Sequence, residues 1–390
     1  MSPVANSMVK PDNLDKMEPF YPLHAYVCES CYLVQLEAFQ TPGEIFSDYT
    51  YFSSYSESWL KHARDYAEIM MPRLGLGASS LVVEIASNDG YLLRNFKEKG
   101  IPILGVEPAA NVAEVAKKSG IPTIVKFFGV ETANALVADG KSASLLIGNN
   151  VLAHVPELND FVEGMRVLLA RDGVITMEFP HLEKLMAENQ FDTIYHEHFS
   201  YFSFYSVDKV FAAHRLKIFD AQELPTHGGS LRIFAGHVGN KKQVTSESVV
   251  KLRERELLAG IDRPEMYDVF GEQVRETKRK LLEFLIREKR DGKTIVGYGA
   301  PAKGNTLLNY CGIRSDFVDY TVDLSPHKQG LFLPGTRIPV YAPDKIKETR
   351  PDYVLILPWN LKNEIMKQMF YIREWGGKFV TPIPEVRVYE

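Results

Sequence analysis

The stretch LVVEIASNDGYLL (81–93) and the answering PILGVEP (102–108) decide the fold. The first opens on apolar residues over a strand's length. It breaks at Ala86-Ser87-Asn88-Asp89-Gly90, and a helix follows from Gly90 to Lys99, stopped by Gly100. The second is another buried strand, ending at Glu107-Pro108. Further on, the pattern predicts a helix over 109–118 stopped by Gly120, a strand in IPTIV (121–125) and a helix in ETANALVA (131–138). It then predicts a strand in SASLLIG (142–148), an amphipathic helix over 158–170 and a strand in GVITMEFP (173–180). Strands alternating with helices at this spacing imply a parallel sheet covered on both faces.

Open sheets of this kind bind ligands at the carboxyl ends of their strands. The turn Glu84-Ile85-Ala86-Ser87-Asn88-Asp89-Gly90 and the carboxylate of Glu107 stand at two such ends. An acidic residue at the end of the second strand can accept from both hydroxyls of a ribose. The turn carries one glycine rather than three, so it lacks the dinucleotide pattern, and a polar β–α turn with no ligand fits these residues as well.

Upstream, Trp59, Leu60, Ala63, Tyr66, Ala67 and Met70 recur at helical spacing within 56–71. Before them, five prolines and the alternating PLHAYVCESCYLVQLE (22–37) predict a small hairpin-bearing module. Downstream, a helix in SVDKVFAAH (206–214) precedes two strands, KIFDAQEL (217–224) and SLRIFAGHV (230–238), joined by a glycine-rich turn. The polar, charged span 241–290 reads as a long solvated helical connection. A second, smaller α/β unit opens with KTIVGYGAPAKGNTLLNYCG (293–312) and continues in YTVD (320–323), DYVLILP (352–358) and KFVTPI (378–383). The expected organisation is an N-terminal module over 1–48, a mostly parallel, doubly wound domain over 49–240, and the connection with a Rossmann-like domain over 241–390.

A chain of 390 residues with net charge -5 has no overall basic field, which speaks against nucleic acid as a partner. No run approaches the ~18 apolar residues of a membrane span. The opening MSPVANSMVKPDNLDK has no apolar core, and only three cysteines occur, which together predict the cytoplasm.

The stretch LLIGNNVLAHVPELNDFVEGMRVLLARDGVITMEFP (145–180) resembles the later motifs of class I S-adenosylmethionine-dependent methyltransferases. That resemblance implies that Glu107 holds a ribose and that Asn88, Asp89 and Gly90, in the turn with Glu84 and Ala86, approach the methionine part. It implies that Asn149 and Asn150 line the pocket, that Phe127 and Phe128 flank the adenine, and that His154 sits beside the pocket. A narrower likeness rests on SNDGYLL (87–93), DYTYFSSY (48–55), YHEHFSYF (195–202), HGGSLR (227–232) and GYGAPAKGN (297–305). These resemble the nucleotide-sugar C-methyltransferases, in particular the sugar C-3 methyltransferases of branched deoxysugar biosynthesis. The fold it implies is a small zinc-binding module, a Rossmann-like methyltransferase domain, and a C-terminal Rossmann-like domain that closes over a nucleotide-sugar. The first of these departs from the family, which carries two Cys-x-x-Cys pairs. This chain has Cys28 and Cys31 alone, whereas tetrahedral zinc needs four ligands.

Carbon becomes nucleophilic when a neighbouring ketone acidifies its proton. The chemistry then needs a base of near-neutral pKa, donors for the enolate oxygen, and close positioning. On residue type alone, His196 and His198 could be that base, a metal pair on one face of a strand, or hydrogen-bonded core histidines. The resemblance makes His198 the base, with Tyr195 and Glu197 as pocket partners and Tyr49 donating to the oxyanion. It adds His227 as a second contact with the ketone. Gly297, Gly299 and Gly304 with Lys303 suit a diphosphate at a helix start, or a plain sheet turn. Trp359 and Asn360 stand at another strand end. The expected activity is C-methylation of a nucleotide-linked 4-keto-deoxyhexose, probed against the alternative of an NAD(P)-dependent nucleotide-sugar oxidoreductase.

Overall fold

The computed structural model describes residues 1–41, 43, 53–55 and 57–390. Two short strands, β1 (Ala25–Val27) and β2 (Val34–Leu36), flank a hairpin in which the Cys28 amide donates to the Leu33 carbonyl. After the helix Glu57–Leu74 come β3 (Val82–Ile85), β4 (Ile103–Val106), β5 (Thr123–Ile124), β6 (Ala143–Asn149) and β7 (Leu169–Pro180). The helices between them are Leu93–Lys97, Ala110–Lys118, Val130–Ala138 and Leu158–Leu168. The pair β8 (Ser200–Tyr201) and β2 is antiparallel, and β9 (Leu216–Leu224) and β10 (Ser230–His237) follow the helix Phe204–Ala213.

The chain forms two compact units, one of residues 27–181 and 199–262, the other of residues 1–26, 182–198 and 263–390. In the first, seven strands run in the order β5-β4-β3-β6-β7-β10-β9. All pairings through β7 are parallel, and β10 is antiparallel to both of its neighbours. Alternate side chains of β3 enter opposite cores, as the period of two requires. Val83 and Ile85 join Leu104, Leu146, Ile175, Phe161 and Met165 on one face. Val82 joins Leu145, Ile147, Tyr66, Met70 and Phe96 on the other. Strand order reverses between β3 and β6, which opens a crevice at their carboxyl ends.

The second unit holds β11 (Ile295–Tyr298), β12 (Thr321–Val322), β13 (Val340–Tyr341), β14 (Tyr353–Ile356), β15 (Lys378–Thr381) and β16 (Arg387–Tyr389). They lie in the order β13-β12-β11-β14-β15-β16, parallel except for β16. Residues 1–26 belong here: Ser2 bridges to Tyr21, and Val9 bridges to Phe332.

The span expected to be one solvated connection is two helices, Glu247–Ala259 and Pro264–Arg290. Gly260 ends the first in the left-handed region, at φ 87°, and Pro264 starts the second. Both have a buried stripe. Val249 and Leu252 enter the seven-stranded unit's core, while Leu281, Phe284 and Leu285 enter the six-stranded unit's. The high charge of the span hid that stripe, since the ion pairs Arg275–Glu272 and Arg279–Glu276 occupy only the solvent face. Among the described residues, no helix is long and apolar enough to cross a membrane.

Candidate functional site

The turn after β3 is strained into the crevice: Ala86, Asn88 and Gly90 have φ of 54°, 49° and 79°. At Gly90 a Cβ would meet Ile121 Cγ1 at 2.8 Å, so only glycine fits without displacing that side chain. Glu107 holds the turn shut. Its Oε2 accepts the Asn88 amide at 2.8 Å and its Oε1 the Ala109 amide at 2.9 Å. Each oxygen keeps a second lone pair. Burial raises the Glu107 pKa, against the pull of those two amides. Glu84, 1% exposed, is pushed well above the usual carboxylate range by burial, then by the charges of Glu107 and Asp89.

Three buried oxygens of this turn have no hydrogen-bond partner among the described residues: Glu84 Oε2, Ser87 Oγ and Asp89 Oδ1. At the end of β6, the Oδ1 atoms of Asn149 and Asn150 are a fourth and a fifth. Buried acceptors cost free energy unless paired, so five of them around one crevice fit a ligand that brings hydroxyl and ammonium donors. Asn149 lies opposite Glu178 in the β6–β7 register. Asn150 stands at φ 53°, and its side-chain amide donates to His227 Nε2 at 3.2 Å. Phe128 packs edge-on against Phe161 with centroids 5.5 Å apart, while its neighbour Phe127 is 50% exposed. His154 ends a short 3-10 turn, Leu152–His154.

Beside these predicted residues the structure gathers a cluster that the sequence reading missed. Glu178 of β7 is wholly buried, and it accepts from His62 Nε2 at 2.9 Å, Arg232 Nη2 at 2.8 Å and Thr226 Oγ1 at 2.9 Å. Burial works to raise the Glu178 pKa, but the His62 and Arg232 contacts outweigh it and hold the carboxyl below its usual range. Trp59 stacks on His62 at 4.9 Å and meets the His227 ring edge-on at 5.3 Å.

The six-stranded unit carries the Tyr-His-Glu-His run. His198 Nδ1 lies 3.0 Å from the Thr193 carbonyl. A carbonyl only accepts, so in the neutral ring the proton sits on Nδ1 and Nε2 is the basic nitrogen. The Tyr195 ring lies 4.1 Å from the His198 ring, tilted by 33°. His196 Nε2 donates to the Pro22 carbonyl at 3.0 Å, and burial lowers its pKa. Glu197 is buried, which raises its pKa, and the side-chain amide of Asn6 donates to both of its oxygens, at 2.8 and 2.9 Å. Tyr49 lies outside the described residues.

Lys303, in the first turn of the helix Ala302–Cys311, donates to Asn360 Oδ1 at 2.9 Å and lies 4.5 Å from the Trp359 ring centroid. Burial lowers its pKa, against the pull of Asp192. Asp192 is fully buried, accepts from Trp359 Nε1 at 2.8 Å, and is raised to about 6 by burial. Gly299 stands at φ 90°, and the next amide, that of Ala300, already donates to Asp323 Oδ2 at 2.7 Å.

Cys28 and Cys31 share the hairpin after β1. Backbone hydrogen bonds from Cys31 and Ser30 hold the Cys28 thiol below its usual range, whereas burial raises that of Cys31. Among the described residues, no third His, Cys, Asp or Glu donor gathers with these thiols. The pair is two ligands short of a tetrahedral zinc site.

Comparison with known proteins gives a consistent account. A family profile for the C-terminal domain of C-methyltransferases matches residues 225–384, one for a methyltransferase domain matches 59–218, and one for a zinc binding domain matches 1–46. The C-methyltransferase NovU of Streptomyces niveus is 36% identical over 387 residues, covering 99% of this chain and 92% of NovU. Among solved structures, an S-adenosylmethionine-dependent methyltransferase from Clostridium acetobutylicum is 10% identical, covering 46% of this chain and 92% of its own, with a TM-score of 0.37. The magnesium protoporphyrin IX methyltransferase of Synechocystis is 13% identical, covering 46% of this chain and 83% of its own, also with a TM-score of 0.37. The relation to NovU extends over nearly the whole of both chains and sets the oxidoreductase alternative aside: this chain belongs to the C-methyltransferase family, as an S-adenosylmethionine-dependent enzyme.

Proposed function

We propose that this C-methyltransferase acts in the cytoplasm on C3 of a nucleotide-linked 4-keto-deoxyhexose, with His198 as the base. The observation that carries the reading is the hydrogen bond from His198 Nδ1 to the Thr193 carbonyl. When the imidazole is neutral, that bond favours the tautomer whose basic nitrogen is Nε2, the form a general base needs before it acts. Nε2 takes the C3 proton, and the electron pair of that C–H bond moves into the ketone to give an enolate. When bound, S-adenosylmethionine would supply the electrophilic methyl group that the enolate carbon receives, its S–CH3 bond breaking to leave S-adenosylhomocysteine. Tyr49 and His227 donate to the oxyanion, while Tyr195 and Glu197 hold the sugar against the base.

For the cofactor, the fit rests on the orphaned acceptors. Glu107 keeps lone pairs for two ribose hydroxyls. Glu84, Asn88, Asp89 and Gly90, with the Ala86 backbone, take the methionine end, whose ammonium group suits a cluster of buried carboxylates. Asn149 and Asn150 line the same pocket, and Phe128 flanks the adenine. Lys303 and the Gly299 turn receive the diphosphate of the substrate.

Replacing His198 by Asn tests the reading. Turnover on a thymidine-diphosphate 4-keto-deoxyhexose falls by about 100- to 10,000-fold, while calorimetric affinity for S-adenosylmethionine is unchanged. Wild-type turnover in His198→Asn removes this residue from the reaction. Mass spectrometry and NMR of the product locate the new methyl, and a methyl on oxygen or on another carbon rejects C3.

A further inference from the structure

His227 occupies the left-handed region, uncommon for any residue with a Cβ, at φ 54° and ψ 20°. Such strain persists only where the surroundings over-determine it. Here the turn between β9 and β10 is held from three sides. Its own backbone closes through the Gly229 amide on the Thr226 carbonyl, at 2.9 Å, and the Ser230 hydroxyl on the same carbonyl, at 3.0 Å. The His181 amide donates to the Gly229 carbonyl at 3.1 Å. The third hold is a side chain, Thr226 Oγ1 on Glu178 Oε1.

That last contact ties the turn to a rigid charged anchor. Glu178 faces Arg232 across the β7–β10 ladder, and the helix Glu57–Leu74 brings His62 to the same oxygen as Arg232, Oε2, leaving Oε1 to Thr226. One helical turn earlier, Trp59 packs between the His62 and His227 rings. From the end of β6, Asn150 donates to His227 Nε2, so the proton of that imidazole resides on Nδ1. Asn150 is itself in the left-handed region and is fixed by its amide on the Glu178 carbonyl, at 2.7 Å. Both the Thr226 and Asn150 holds on His227 therefore return to the same residue, one through its side chain and one through its backbone.

We propose that Glu178, acting through Thr226, is the positioning residue that presents His227 as an Nδ1–H donor to the ketone oxygen of the substrate. This rests on the reading above in which His227 contacts that ketone. His62 and Arg232 serve Glu178 by keeping its carboxylate ionised and aimed. In this arrangement His227 donates a hydrogen bond and takes no proton, which leaves proton abstraction to a different group.

The test is a double-mutant cycle with Thr226→Val, Thr226→Ser and His227→Asn, measured on a thymidine-diphosphate 4-keto-deoxyhexose. Thr226→Val is expected to lower kcat about 10-fold, as small misplacements do, with S-adenosylmethionine affinity and Tm held. Thr226→Ser, which keeps the hydroxyl, recovers most of that loss. In the His227→Asn background, Thr226→Val adds no further loss, because its effect passes through the missing ring. Losses that multiply would overturn the positioning role while leaving His227 as a contact. A His227→Asn enzyme with wild-type turnover would overturn both. NMR of the 15N-histidine-labelled protein gives a reading without substrate: His227 shows the Nδ1–H tautomer, and Thr226→Val broadens it toward a mixture. The opposite tautomer in the wild type rejects the donor assignment.

Discussion

Removing the side chain of Asn6 should move the pH dependence of the enzyme without dismantling it. The Asn6 amide nitrogen lies 2.8 and 2.9 Å from the two oxygens of Glu197, and that carboxyl is only 4% exposed. Burial already raises the Glu197 pKa, and Asn6 is the group that opposes the rise. A hydrogen bond to a charged group contributes about 1.5–3 kcal/mol, and one pKa unit corresponds to about 1.4 kcal/mol. Asn6→Ala therefore raises the Glu197 pKa further, since burial then acts without that opposing hydrogen bond. The sign follows from which form is stabilised. Asn6 favours the ionised carboxylate, so without it the neutral acid persists to higher pH. If the ionised carboxylate works in turnover, the acid limb of kcat/KM shifts to higher pH, while the alkaline limb stays in place.

The assay is a kcat/KM profile from roughly pH 5 to pH 9 for wild type and Asn6→Ala. Folding is not expected to confuse it, because the backbone at this point is tied independently. The Ala5 carbonyl accepts from Asn305 at 2.7 Å, and Val9 bridges to Phe332. An unshifted acid limb in a folded Asn6→Ala enzyme would refute the argument, since it would mean that Glu197 does not titrate in the working range or does not act ionised.

Two further changes probe the same chain. Asp192 is held near pKa 6 in the folded state against 3.8 ordinarily, so the native state binds its proton more tightly than the unfolded chain does. That stabilisation is full below about pH 4 and is lost as pH rises through about 6, a difference of about 3 kcal/mol. Asp192→Asn, which keeps an acceptor for Trp359, is then more stable than wild type by about 3 kcal/mol at neutral pH and equal to it in acid. Parallel urea-denaturation profiles across pH would contradict this. Glu107→Gln places an amide donor against one of two backbone amides, Asn88 or Ala109. It should weaken S-adenosylmethionine binding by about 10- to 100-fold by calorimetry, and unchanged affinity would remove Glu107 from the ribose contact.

The architecture was legible because each β–α repeat announces itself locally. The apolar runs at 82–85, 103–106 and 143–149 are strands buried on both faces, and such strands read as near-continuous hydrophobic segments. Amphipathic segments resisted where charge dominated composition, as in the two helices between 247 and 290. The Glu178 cluster left a signal that periodicity passes over. GVITMEFP sets one carboxylate in a stretch otherwise uncharged, and SLRIF sets one guanidinium in a later strand. Two opposite charges at positions that must be buried imply a pair, because neither is tolerated there alone. Their register partnership, Arg232 opposite Glu178, is the structural form of that requirement.

What the sequence could not separate is the two histidines of the Tyr-His-Glu-His run, because the distinction lies in which nitrogen meets a carbonyl. His198 finds its acceptor locally, at Thr193 five residues back, and bonds through Nδ1. His196 finds its acceptor at Pro22, 174 positions away, and bonds through Nε2. The two ring nitrogens differ in reach: Nε2 is the far corner of the imidazole and Nδ1 the near one. A histidine anchored at Nδ1 projects its lone pair outward, whereas one anchored at Nε2 spends its far corner on the backbone. Identical residues two positions apart thus become a candidate base and a structural tie through the placement of two carbonyls, and only the folded chain supplies that placement.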